Sequence, residues 1–274
     1  MLDRLHTKAA EWNVTLNETR ETATSLLGFG VRDEQRVVLK LTKVSDEAHS
    51  GKVLRAFGGN GAVRVYEAET GVVLLEQLEP GEQLVSLVRR GEDDEATKIL
   101  AQVIGKLANH AAPDECPTVA GWGRGFDRYI ASGAQHIPDD LVRKAQLIYH
   151  QLTKSQRTTM LLHGDLQHYN VLFDRPRGWT AIDPKGVVGE LEYEVGALLR
   201  NPIERPDLFT NRATIERRLE ILTTLLPLNH NRALQWSFAQ AVLSAIWDVE
   251  DGYPVQPNHP ALLLANTLKE ILTN

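Results

Sequence analysis

The segment His163-Gly164-Asp165-Leu166-Gln167-His168-Tyr169-Asn170 constrains this chain more than any other stretch. It leads into Val171-Leu172-Phe173, a turn of Asp174-Arg175-Pro176-Arg177-Gly178, and a second apolar run, Trp179-Thr180-Ala181-Ile182, ending at Asp183-Pro184. A polar loop, a strand, a Pro/Gly turn and a second strand predict an antiparallel hairpin, which returns the chain to its starting point. Asp165, Asn170 and Asp183 then meet at one end of it. Two carboxylates and an amide oxygen at one point supply hard oxygen ligands for Mg²⁺ and a base for a hydroxyl proton. Taken singly, an Asp after Gly reads as a turn residue and an Asn before a strand as a cap. The three at this spacing carry the meaning.

Protein kinases carry His-x-Asp, an Asn five positions after the Asp, and then a second Asp that holds magnesium. Here His163-x-Asp165 is followed by Asn170 five positions later and Asp183 thirteen after that. His-Gly-Asp stands in place of His-Arg-Asp, and Ile-Asp-Pro in place of Asp-Phe-Gly. At these residues the chain resembles the aminoglycoside phosphotransferase family of the kinase-like fold. The continuation Gly-Trp-x-x-Ile-Asp-Pro-Lys-Gly-x-Val-Gly-Glu, with Leu-Leu-Arg-Asn-Pro at 198–202, is most similar to the streptomycin 6-kinase and hydroxyurea-resistance kinase group. The resemblance extends over most of the chain. Tyr169 departs from it, standing where these families usually have a smaller or more polar residue. The fold implied is α+β and protein-kinase-like in two lobes: a small antiparallel β-sheet lobe with one helix, and a larger, mostly helical lobe. The boundary is expected at residues 1–78 and 79–274.

A chain of 274 residues has room for two such lobes with a site between them. Its net charge of −6 argues against general nucleic-acid binding, which needs a basic surface, and is compatible with a cationic small-molecule partner. The single cysteine, Cys116, excludes an intrachain disulfide and fits a reducing compartment. The first residues carry no long apolar segment, and runs such as 72–75 and 261–265 are far too short for a bilayer. A cytoplasmic protein with no membrane partner is expected.

Residues 1–81 read as mostly strands: Trp12–Leu16, Leu27–Val31, Arg36–Thr42, Ala62–Glu67 and Gly71–Glu76, closing a five-stranded antiparallel sheet. Arg32-Asp33-Glu34-Gln35 joins the second and third as a hairpin. Lys40 lies inside the strongest run; alone it would be an edge-strand lysine facing solvent. With the downstream motif it is placed to pair with the α- and β-phosphates of ATP. No full Gly-rich phosphate loop is present, only Gly28 and Gly30. Thr22-Ala23-Thr24-Ser25 can offer hydroxyl and N–H groups instead, with Ser25 as the candidate. A short helix over 44–57 would supply the acid that orients Lys40, Glu47 before its competitor Asp46. Glu76-Gln77-Leu78-Glu79-Pro80-Gly81 reads as the inter-lobe linker. By resemblance to kinases, Glu76 and Leu78 would border the adenine.

From residue 82 the periodicity becomes helical, over 93–110, 126–132, 138–152, 192–199, 213–226, 233–249 and 261–272, with 111–125 read as loop. Two acidic groups stand near the expected acceptor side. One is Glu190-x-Glu192-x-Glu194; the other follows Trp247 as Asp248-x-Glu250-Asp251. In the resembled group a Trp followed by a Glu-Asp-Gly-like segment occurs near the second place, and an Asp commonly stands where Glu194 is. Glu190, Glu194, Trp247, Glu250 and Asp251 are therefore expected to bind a guanidinium- or ammonium-bearing substrate; solvated helix ends are the plain alternative.

The resemblance implies a phosphotransferase that uses ATP (GTP as the alternative nucleotide) and Mg²⁺ to phosphorylate a hydroxyl of an aminoglycoside such as streptomycin. Asp165 would be the base, His163 a brace for the loop, and Asn170 with Asp183 the metal ligands. The rivals are a kinase of another metabolite (a sugar or amino alcohol), and a nucleotide-binding, pseudokinase-like regulator. The full set of oxygen ligands counts against the regulator. A hydrolase with His163 and Asp165 on a metal would need further His or carboxylate ligands at short spacing, and His168 alone is too little.

Overall fold

The β-branched run around Lys40 sits in the middle of a sheet, as its alternation demands. The computed structural model describes residues 1–44 and 48–273. The chain opens with α1 (Leu2–Glu11), β1 (Thr15–Glu21), β2 (Ser25–Arg32) and β3 (Gln35–Thr42). Next come α2 (Ser50–Phe57), β4 (Val65–Glu69) and β5 (Val72–Glu76). The five strands form one antiparallel sheet in the order β1-β2-β3-β5-β4. Alternate residues of β3 face opposite sides. Val37, Leu39 and Leu41 are fully buried and pack with Leu5 and Ala9 of α1, while Val38 and Lys40 line a cleft on the other side.

Two expectations fail here. The small lobe carries a second helix beside the one expected, over Leu2–Glu11: Leu5 and Ala9, four apart, cap the sheet with one apolar face. The strand expected at Trp12–Leu16 begins only at Thr15.

The chain continues into β6 (Pro80–Gln83), α3 (Val85–Arg89), α4 (Asp93–Leu107), α5 (Val119–Ser132) and α6 (Asp139–Lys154). Then follow β7 (Met160–Leu162), β8 (Val171–Asp174), β9 (Gly178–Ala181) and β10 (Val187–Gly189). A 3₁₀ turn, Leu191–Glu194, leads to α7 (Val195–Leu199), α8 (Pro206–Phe209), α9 (Arg212–Leu225), α10 (His230–Glu250) and α11 (Pro260–Thr273). The long helix α10 is buried nearly all round and packs against α5, α6, α7 and α11. It is the axis of the helical lobe. No helix among the described residues is long and apolar enough to cross a membrane.

Helix α5 also departs from expectation, because Gly121-Trp122-Gly123-Arg124-Gly125 reads as loop by composition. Thr118 caps the helix, its Oγ accepting from the Gly121 N–H at 3.0 Å. The glycines serve packing: a Cβ on Gly123 would stand 2.5 Å from the Tyr149 ring, and one on Gly125 2.9 Å from Leu243. Helix propensity is overridden by the need for close approach.

Two small ladders hold the central hairpin. β6 pairs with β8, Gln83 opposite Leu172, so the segment leaving the small sheet ends directly on β8–β9. β7 pairs with β10, Leu162 opposite Val187. The loop 163–170 and the segment after Asp183 are thereby tied from both sides.

Candidate active site

The β8–β9 register pairs Val171 with Ala181 and Leu172 with Thr180. The Ile182 N–H continues the ladder by donating to the Asn170 carbonyl at 2.9 Å, which sets Asn170 beside Asp183. The Asn170 amide donates to the Asp165 carbonyl at 2.8 Å and to Asp165 Oδ2 at 3.2 Å. Its nitrogen is thus engaged, and its oxygen is the atom left for another partner. Asp183 adopts a left-handed backbone, φ 60°, an uncommon state for a residue with a Cβ that concentrates at functional sites. Lys40, from the opposite sheet, forms an ion pair with Asp183. The four residues singled out from the motif and from β3 therefore converge.

The loop itself is rigidly held. His163 is fully buried. Its Nδ1 lies 3.3 Å from the Asp165 N–H, and its Nε2 2.9 Å from the Ile182 carbonyl. An acceptor at Nδ1 and a donor at Nε2 define the neutral tautomer, and burial lowers the ring's pKa further from neutrality. Glu194 binds the same loop from the other side, one oxygen accepting from the His163 N–H at 2.7 Å and the other from Gly164 at 2.8 Å. Gly164 has φ 80°, and a Cβ there would stand 2.9 Å from the Trp122 ring. Glycine is what lets Trp122 lie against the loop next to Asp165.

A cleft of about 840 Å³ opens between the sheet and the hairpin, lined by Lys40, Asn170 and Asp183 and by Leu27, Leu75 and Leu172 among others. That size suits a nucleotide, and apolar walls with a few converging polar groups are the usual composition of such sites. Ser25 borders it; its side chain is buried and its Oγ meets no partner among the described residues. Glu76 and Leu78 border it too. The Glu76 carboxylate is already engaged by Arg177 from the hairpin turn and by the Arg64 N–H at 2.8 Å, so it ties hairpin to sheet. Asp46 and Glu47 lie outside the described residues.

Over residues 12–252 the chain matches the family described as aminoglycoside/hydroxyurea antibiotic resistance kinase. A streptomycin 3''-kinase of Klebsiella pneumoniae is 31% identical over 220 residues, covering 78% of this chain and 80% of that protein. A streptomycin 6-kinase of Streptomyces griseus is 30% identical over 236 residues, covering 80% and 73%. The chain belongs to this kinase family.

The solved structures agree on the fold. A choline kinase from Streptococcus pneumoniae superposes with a TM-score of 0.66 at 12% identity, covering 100% of this chain and 99% of its own. An aminoglycoside phosphotransferase in ternary complex with ADP and hygromycin B gives 0.65 at 14% identity, covering 98% and 97%. The kinase-like two-lobe architecture stands on these structures, and the phosphotransferase class of the enzyme on the family match and the streptomycin-kinase relatives.

On the acceptor side the kinase corrects the sequence reading. Glu190 is not a cleft residue: it is 2% exposed, paired with Arg232 and hydrogen-bonded by Trp236 Nε1 at 2.5 Å. Glu194 is likewise spent on the loop backbone. Glu250 is held by both arms of Arg128, at 2.9 and 3.0 Å, and Asp251 is an exposed C-cap. The Trp247 ring stands edge-to-face on Trp122, centroids 5.9 Å apart.

The sequence reading assigns no role to Trp122 or Arg200, and names Asp248 only as a member of the second acidic group. Trp122 is hidden in the glycine-rich stretch. Asp248 is half-buried; burial raises its pKa, while His259, 3.4 Å away, and the Arg200 charge oppose the shift. Arg200 lies 3.4 Å from Asp165 Oδ1; its only sequence signal is its place in Leu-Leu-Arg-Asn-Pro. Tyr169, the departure within the motif, lines the cleft and donates its hydroxyl to Glu204 at 3.0 Å.

Proposed function

We propose that this kinase transfers the γ-phosphoryl group of ATP to a hydroxyl of a cationic small molecule, an aminoglycoside such as streptomycin. The observation that carries the reading is that Lys40, Asn170 and Asp183 line one cleft, Lys40 paired with Asp183, while Asn170 holds Asp165 beside them at 3.2 Å. Lys40 meets the phosphates, with Ser25, at the start of β2, offering a hydroxyl that has no partner among the described residues. Asp165 accepts the hydroxyl proton as the oxygen attacks the γ-phosphorus and ADP leaves. His163 and Glu194 hold the loop so that the carboxylate meets the hydroxyl without rearrangement.

Asn170 and Asp183 would hold Mg²⁺. Their donor set fits: one amide oxygen and one carboxylate are hard ligands, and Mg²⁺ takes one or two protein oxygens with phosphates and water completing the shell. No cluster of three or more His, Cys, Asp or Glu side chains that could hold a metal occurs among the described residues, which also disfavours a zinc-type hydrolase site. The ion would neutralise charge on the transferring phosphates.

The acceptor would lie beside Asp165 against Trp122 and Trp247, with Asp248 as the nearby carboxylate. Aromatic faces and a half-buried acid suit a guanidinium or ammonium group. The relatives named as streptomycin kinases support that class.

The test is ADP release from Mg-ATP over a panel of streptomycin, other aminoglycosides, simple sugars and amino alcohols. ADP release driven by streptomycin and not by the sugars or amino alcohols is expected. Release driven only by a sugar or amino alcohol would move the reading to a metabolite kinase. ATP binding with no release by any acceptor would favour a regulator.

A further inference from the structure

The Asp165 carboxylate is gripped on both oxygens by different parts of the chain. Asn170, five residues on in the same loop, donates to Oδ2 at 3.2 Å. Arg200, at the C-terminal end of α7, places Nη2 3.4 Å from Oδ1. The other arm of the same guanidinium, Nη1, donates to Gln240 Oε1 at 3.3 Å. Gln240 comes from the middle of α10 and is itself 4% exposed.

Gln240 has one orientation available. Its Nε2 donates to the Tyr193 carbonyl at 2.5 Å, so its oxygen must be the end that faces Arg200. Its amide fills the space over Gly196, where a Cβ would come within 2.4 Å of Oε1. A glycine at 196 is therefore needed for the amide to reach Tyr193 and Arg200 together. The chain of contacts runs from the Tyr193 backbone through Gln240 and Arg200 to Asp165. Arg200 and Asp165 are 17% and 26% exposed at their side chains, shielded enough for the pair to hold one geometry, yet not sealed from solvent.

We infer that Arg200 is a positioning residue of the phosphoryl transfer: anchored by Gln240, it fixes the plane of the Asp165 carboxylate so that one oxygen faces the acceptor hydroxyl. The inference rests on the reading of Asp165 as the base. A planar fork tethered at one arm limits rotation of its partner in a way a flexible ammonium cannot. The carboxylate's rotation about its last bond is otherwise soft, and Asn170 alone restrains only one of its oxygens.

The experiment compares Arg200→Gln, Arg200→Lys, Gln240→Met and Asp165→Asn, and combines Arg200→Gln with Asp165→Asn. ADP release from Mg-ATP with streptomycin gives kcat and KM; ADP affinity and thermal melting report the fold. Misplacing a reacting group by about an ångström costs roughly 100-fold, so Arg200→Gln is expected to lower kcat by about 10- to 100-fold with the KM for Mg-ATP unchanged. Arg200→Lys recovers part of the loss, and Gln240→Met shows a smaller loss of the same kind. In the Asp165→Asn background, Arg200→Gln has no further effect, because Arg200 acts through Asp165.

An equal loss from Arg200→Gln in both backgrounds overturns the inference, as does a change confined to the KM for streptomycin. An inactive Asp165→Asn beside a fully active Arg200→Gln defeats the Arg200 inference alone. A fully active Asp165→Asn defeats the assignment of the base. A high-resolution crystal structure of Arg200→Gln reads the same point with no acceptor: the Asp165 carboxylate is expected to turn, and an unmoved carboxylate overturns the inference.

Discussion

Lys40 on the central strand of the small sheet is ion-paired with Asp183 on the hairpin of the helical lobe, across the floor of the cleft. Opposite charge keeps the two side chains in place. On the proposed roles, Lys40 would exchange Asp183 for phosphate, and Asp183 would exchange Lys40 for Mg²⁺. The two residues should therefore fail differently. Asp183→Asn is expected to lower kcat by about 10²–10³ and to raise the Mg²⁺ concentration needed for half-maximal rate. Lys40→Ala should raise the KM for ATP by about 10-fold or more, the loss of a charge-assisted hydrogen bond. Chelation with EDTA should stop turnover reversibly. Undiminished turnover of metal-depleted enzyme would remove Asn170 and Asp183 from the metal role.

Glu194 and His168 pull stability in opposite directions with pH. Glu194 is buried; burial raises its pKa from 4.5 to about 7 despite the N–H bonds it accepts from Gly164 and His163, and Asp165 adds to the rise. Between those values the folded chain holds a proton that the unfolded chain has lost, so stability falls as pH rises through the window. His168 is buried with neither ring nitrogen partnered among the described residues. Burial, then the Arg218 charge, lowers its pKa from 6.5 to about 3 against the pull of Asp93. There the unfolded chain holds the extra proton, so stability falls as pH drops below 6.5.

Over the shared range the two slopes, each about 1.4 kcal/mol per pH unit, cancel. Glu194→Gln should leave stability that rises with pH up to about 6.5; His168→Met should leave stability that declines from about pH 4.5 to 7. Urea midpoints across the range test this, and parallel profiles for the two variants would contradict it.

The hairpin was legible because everything that defines it is contiguous: turn residues, alternation and ligands all lie within 163–183. Lys40 was legible by the period of its strand, since its neighbours Leu39 and Leu41 must face the core. What stayed hidden depends on partners distant in sequence. Glu190 looks like a solvated acid until Arg232, forty-two positions on, is seen against it. The glycines of α5 look like loop until the Tyr149 ring is seen to need their space. Arg200 sat in a quoted motif with no role, because neither Asp165 nor Gln240 is near it in the chain. Local signals find elements and contiguous motifs; they do not find the buried polar contacts that join one element to another.

One such contact sets the last expectation. Arg218 on α9 is fully buried, with Nε and Nη2 on the two oxygens of Asp93 at 3.0 and 2.6 Å and Nη1 on the Asn201 carbonyl at 2.8 Å. Burial works against the Asp93 charge, but the Arg218 hydrogen bond and charge more than offset it and hold the carboxyl below its usual 3.8. The stability this contributes is present at neutral pH and is lost as pH falls below that value. Arg218→Met leaves the buried Asp93 carboxylate with the longer Arg217 contact at 3.5 Å and should cost about 3–5 kcal/mol at pH 7, whereas Arg218→Met with Asp93→Leu should recover much of it, since an apolar pair of similar volume replaces a buried ion pair at little loss. Urea denaturation of the three proteins decides it: a single variant no less stable than the double would mean that the pair is solvated rather than buried.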